Sequence, residues 1–125
     1  MSLKMENNYD RLIALARETF SLAAKVLVRL RNDKLMPHKE REGKIEVIKI
    51  LDCFSGNIEK DLVSRSWPLR NERQMAGRSV FRGISDIGWY NENRIEEKDV
   101  AQLFEMAHRL AEGYRRLPES EGKPV

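Results

Sequence analysis

Residues 9–30 read YDRLIALARETFSLAAKVLVRL, and within them Tyr9, Ile13, Ala16, Phe20, Ala23, Leu27 and Leu30 recur at alternating four- and three-residue steps. In a helix of about 3.6 residues per turn these positions stack into one stripe, which has to face another helix. Arg11, Arg17, Glu18, Lys25 and Arg29 fill the opposite, solvated face. A second stripe of the same kind, Val100, Leu103, Ala107, Leu110, Tyr114 and Leu117, closes the chain. Both are expected to turn inward, so the chain begins and ends in long amphipathic helices.

The first helix is expected to start near Asn7 or Asn8, which can cap free backbone N–H groups, and to run to about Arg31. Asn32 to Pro37 then breaks the period as a loop. A second helix is expected from about Lys39 to Arg65, with Val47, Leu51, Phe54, Ile58 and Leu62 on its stripe. Gly43 and Ser55-Gly56 weaken it, because glycine inside a helix costs about 1 kcal/mol relative to alanine. Ser66-Trp67-Pro68 ends it, and Asn71 with Gln74 resembles a capping box for a third helix. That helix carries Ala76, Val80, Ile84 and Ile87 on one face and is interrupted by Gly77, Gly83 and Gly88. Asn93 with Glu96 would cap the fourth helix, and Pro118 stops it.

Short connections make successive helices antiparallel neighbours, and no run alternates in the manner of a strand. The fold expected is therefore all-α, an antiparallel up-and-down four-helix bundle whose third helix is short or irregular. Residues 5–118 are read as one helical domain, 1–4 as a leader ahead of a start at Met5, and 119–125 as a flexible polar tail.

Composition narrows the function classes more than it selects one. The chain is 41% hydrophobic and 34% charged, ordinary for a water-facing helical bundle. One cysteine, Cys53, closes no intrachain disulfide, and no Cys/His set has metal-ligand spacing, so a reducing cytoplasm is the expected setting and neither metal nor cofactor is expected. No apolar run approaches the roughly 18 residues of a membrane span, and no signal-peptide pattern opens the chain. Glu40, Glu42, Glu59 and Asp61 belong to no Glu-x-x-His pair of the di-iron kind, and a nucleophile elbow and a phosphate-binding glycine loop are missing from the sequence.

Charge is uneven. Residues 65–82 hold Arg65, Arg70, Arg73, Arg78 and Arg82 against a single acid, Glu72, whereas the whole chain is only +3. With Trp67 beside them, these arginines can either grip a phosphate backbone or form a solvated face paired with acids such as Glu59, Asp61 or Glu105. Trp67, Trp89 and Tyr90 read either as interface anchors or as plugs at the ends of the core. His108 lies on the last helix within reach of Glu105 or Glu112.

Arg31-Asn32 followed by His38 resembles, over those residues alone, the Arg-x4-6-His motif of the HEPN-domain ribonucleases. That resemblance implies a dimer groove in which Arg31 stabilises a pentavalent phosphate and His38 acts as general base.

The leading expectation is a non-enzymatic interaction or regulatory protein. Its partners would be a second copy of itself, as a homodimer, and another protein. The contact surface would be Arg65, Trp67, Arg70, Arg73, Arg78, Arg82, Trp89 and Tyr90. The narrow stripes suit self-association through the first or last helix. RNA or DNA binding through the same arginines is the alternative, and the Arg31/His38 ribonuclease the further one.

Overall fold

The computed structural model describes residues 2–89 and 97–118, with side chains from residue 8 onward. Among the described residues it holds four helices and no strand: α1 (Ser2–Asn32), α2 (His38–Ser64), α3 (Arg70–Ile87) and α4 (Lys98–Arg115). They form the expected antiparallel four-helix bundle.

The core shows the alternation of chain direction. In one layer the C-terminal half of α1 (Ala23, Leu27, Leu30) meets the N-terminal half of α2 (Val47, Leu51), Ile84 late in α3, and Val100 and Leu103 early in α4. In the other, Tyr9 and Ala16 of α1 meet Ile58 and Leu62 late in α2, with Leu110 and Tyr114 late in α4. The two stripes thus supply the interior, each fully buried Leu, Ile or Val contributing roughly 1.5–3 kcal/mol. Phe20 departs from its stripe and is 42% exposed. Its ring lies over Gly56 of α2, which offers no side chain to cover it.

Several boundaries differ from those expected. Helix α1 starts at Ser2, ahead of Asn7, because Leu3, Lys4, Met5 and Glu6 are good helix formers that give the chain no reason to stop. The loop between α1 and α2 is tied by Asp33, whose Oδ1 accepts the N–H groups of Leu35 (3.1 Å) and Met36 (3.2 Å). Helix α2 runs through Gly43 and Gly56, with Ser55 Oγ donating to the carbonyl of Leu51 (2.9 Å).

In α3 the Asn71/Gln74 capping box does not form. Leu69 occupies the N-cap without a side-chain cap bond. Helix α3 is short beside α1 and α2 and passes through Gly77 and Gly83 to Gly88, whose φ of 75° provides the left-handed C-cap. Val80, Ile84 and Ile87 take the inner face as expected, whereas Ala76 is exposed and Arg73 and Gly77 stand in its place. The Asn93/Glu96 cap and the tail from 119 lie outside the described residues.

Candidate interaction surface

Most of the arginine-rich segment begins at the bundle end where α2 gives way to α3. Helix α2 closes in a Schellman motif: the N–H of Arg65 bonds to Leu62 O (3.2 Å) and that of Ser66 to Asp61 O (3.0 Å). Arg65 therefore takes the left-handed conformation, φ 53°, in the position glycine usually fills. What retains an arginine there is Tyr9, since the guanidinium carbon sits 4.5 Å above that ring.

A glycine at 65 would relieve roughly 1 kcal/mol of backbone strain and lose a cation–π contact of similar size. Arg65→Gly is accordingly expected to match the parent urea midpoint. Arg65→Ala, which loses the contact and keeps the strain, is expected to fall about 1 kcal/mol below it.

Two residues assigned to the contact surface point inward. The indole of Trp67 is buried against Tyr9, ring centroids 6.0 Å apart, and its Nε1–H donates to Pro118 O (3.0 Å). Arg73 is 2% exposed. Its Nε–H donates to Pro68 O (2.9 Å) and its Nη1 to Tyr114 O (2.6 Å) and Leu117 O (3.1 Å), so its charge closes the C-terminal end of α4. Beside it the Tyr114 hydroxyl donates to Asp61 Oδ2 (2.6 Å). Burial first, and then that bond and the Asp61 charge, push the phenol far above its ordinary pKa.

Two of the three acids expected to neutralise the segment are engaged elsewhere, and the third, Glu105, is exposed. Glu59 pairs with Arg17 (2.8 Å) and Asp61 takes Tyr114. Glu112 takes Arg115 (2.6 Å) and Arg116 (2.8 Å), and the bond from Arg115 leads in holding its carboxyl below the usual range.

What the segment presents to solvent is the outer face of α3. Met75, Arg78 and Arg82 follow one another at three- and four-residue steps, all exposed, Met75 by 67%. Among the described residues Arg78 and Arg82 have neither hydrogen bond nor ion pair. Arg70 is exposed at the start of the helix, next to exposed Leu69. Helix α3 is held in place from behind by Phe81, which meets Phe54 of α2 edge-on (6.4 Å) and stacks on His108 of α4 (3.9 Å). His108 thus serves packing, with its ring on Phe81.

Met75 and Leu69 are surface residues that sequence reasoning passes over. The spacing from Met75 to Arg78 and Arg82 is the signal that could find Met75. Trp89, 39% exposed, lies just past α3 against Gly43, where an alanine Cβ would overlap the indole. Tyr90 lies outside the described residues.

Arg31 and His38 are not drawn together by any bond. The His38 ring has partners on its own helix, Arg41 (3.3 Å) and Glu42 (3.8 Å), while the charge of Arg31 falls on Asp52, opposing the burial that raises that carboxyl's pKa. At the other bundle end a depression of about 390 Å³ between α1, its following loop and α4 includes Arg29, Asp33, Met36 and Asp99. Across it Arg29 bonds Asp99 (3.0 Å) and Glu97 (3.4 Å). Among the described residues no group of three or more His, Cys, Asp or Glu side chains could hold a metal ion, and no helix is long and apolar enough to cross a membrane.

No known protein family, curated protein or solved structure matches this chain.

Proposed function

We propose that the protein is a non-enzymatic helical scaffold that docks a partner protein on the outer face of α3. The observation that supports this is the adjacency of Arg78 and Arg82, both exposed without an ion-pair partner among the described residues, to the exposed side chain of Met75. Arginine and methionine are enriched where proteins meet, and two uncompensated cations beside an apolar chain suit an acidic, amphipathic partner segment. Cys53, the single cysteine and exposed, is in keeping with a reducing cytoplasm as the place of action.

Nucleic acid is the weaker reading. Arg73 is withdrawn into the fold and Arg65 is engaged with Tyr9. Three phosphate contacts, from exposed Arg70, Arg78 and Arg82, would give a log–log salt slope of only about −3, against about −5 to −9 for proteins that hold a backbone with 6–10 contacts.

A photo-crosslinker at exposed Ser79, between Met75 and Arg82, tests the proposal in cells. Discrete protein adducts are expected, and Arg78→Glu/Arg82→Glu should abolish them by weakening affinity at least about tenfold. Adducts that nuclease removes, together with steeply salt-dependent binding of a labelled oligonucleotide, would establish the nucleic-acid reading instead. Absence of any charge-dependent adduct would overturn both.

A further inference from the structure

The chain leaves the described bundle at a fixed point. Arg73 donates to Leu117 O (3.1 Å) and Trp67 to Pro118 O (3.0 Å), so the stretch after α4 is bound at the foot of α3 by two side chains that the fold buries there. The residues that follow, 119–125, read ESEGKPV, with Glu119 and Glu121 directly past the anchor and Lys123 further out. Glu121 is three residues beyond Pro118, a reach of about 10 Å in extended chain. On α3, Arg70 stands at the foot and Arg78 is five residues past Arg73, about 7.5 Å of helical rise. Both come within range of a carboxylate carried there, because arginine and glutamate side chains span several ångströms more.

Position around α3 decides which charges the tail meets. Gly77 faces the side chain of Ala111 in α4, and Phe81 stacks on His108, so these two mark the side of α3 next to α4. Arg70, seven residues before Gly77, and Arg78, three before Phe81, flank that side, with Gln74 midway between them. No acid of α3 shares it: Glu72 and Asp86 lie toward Gly83, which faces Ile50 of α2. Across the groove Arg115 and Arg116 share Glu112, which leaves that cluster positive as well, and Glu105 is nearly two turns farther from the foot. At the end of α2, Asp61 takes Tyr114 and Arg65 sits over Tyr9.

An exposed ion pair is weak by itself, but a segment tethered this closely meets its target at an effective concentration of about millimolar. We infer that residues 119–125 turn back along the α4-facing edge of α3 and set Glu119 and Glu121 against Arg70 and Arg78. The chain's own acidic tail then covers part of the face proposed above for an acidic partner and competes with it, a consequence that rests on that reading.

Disulfide trapping on the full chain tests the contact without any partner. With exposed Cys53 replaced by serine, Gln74→Cys/Ser120→Cys is expected to close an intrachain disulfide at least ten times faster than Ser64→Cys/Ser120→Cys, each rate normalised to the thiol's reaction with oxidised glutathione. Ser64 is the stringent control, exposed and only three residues before the anchoring Trp67. The preference should vanish in 1 M salt, where the Debye length is about 3 Å, and in Arg70→Glu/Arg78→Glu, both exposed positions. Glu119→Lys/Glu121→Lys should raise the yield of partner adducts at Ser79 about two- to fivefold. Equal closure at the two positions, or a preference that survives salt and charge reversal, overturns the inference, as do adducts that form but ignore the tail variant. Selective closure in a protein that gives no adducts with either tail upholds the contact and removes the docking reading instead.

Discussion

Arg73→Ala is expected to lower the free energy of unfolding by about 3–5 kcal/mol, read as a shift of the urea midpoint. The guanidinium donates to carbonyls of two separate segments, Pro68 before α3 and Tyr114, Arg115 and Leu117 at the end of α4, in a place closed to water. Hydrogen bonds involving a charged group contribute about 1.5–3 kcal/mol each when both partners are buried. A cation at a helix C-terminus adds a favourable dipole interaction of up to about 2 kcal/mol. Alanine removes the donors and leaves the carbonyls in place, so the loss includes their desolvation as well as the emptied volume of the side-chain stem.

Lysine is not a substitute, because a single ammonium cannot reproduce the planar fork that reaches Pro68 and Tyr114 together. Arg73→Lys is expected to recover less than half of the loss. Against a total stability of about 5–15 kcal/mol for a domain of this size, the alanine variant should be partly unfolded at 37 °C. An arginine kept for a ligand would behave in the opposite way, with binding lost and the urea midpoint unmoved.

That residue also shows where sequence reading succeeds and where it fails. The stripes of α1 and α4 declare the core because their apolar residues recur at the period of the helix, and Leu110, Val100 and Leu27 are buried as that demands. Phe20 belongs inside by the same arithmetic. However, it sits at the edge of the stripe, and its exposure depends on what stands opposite in space, a glycine 36 positions away. Arg73 belongs outside by residue type, although Gly77, Val80, Ile84 and Ile87 put it in register with the inner face. Pattern holds the signal, but the carbonyls that make burial of the charge tolerable come from a helix end some 41 residues later, which no local pattern reveals. Gly43 looks like a weakness in α2; it is the surface on which Trp89 rests. Of the eight residues read as a contact surface, the two that the fold withdraws, Trp67 and Arg73, bond to carbonyls 51 and 41 positions away.

Trp67→Ala is expected to cost about 3–5 kcal/mol, the usual consequence of emptying a large aromatic site in a core. Trp67 is 3% exposed, tilted against Tyr9, and bonded through its indole N–H to the carbonyl of Pro118. Trp67→Phe keeps most of the apolar contact and loses the bond, so about 1–2 kcal/mol is expected. Trp89→Ala, at a half-open position beside Gly43, should cost less, about 1–2 kcal/mol. The pair of tryptophans that sequence could not separate is therefore separated by denaturation alone: an anchor for a partner would spare stability, and Trp67 should not.

Combined with Arg73→Ala the effect should be less than additive by about 1 kcal/mol or more. Both side chains bind the same short stretch after α4, Arg73 at Leu117 and Trp67 at Pro118. Once one of them has released that stretch, the other has lost the surface it was holding.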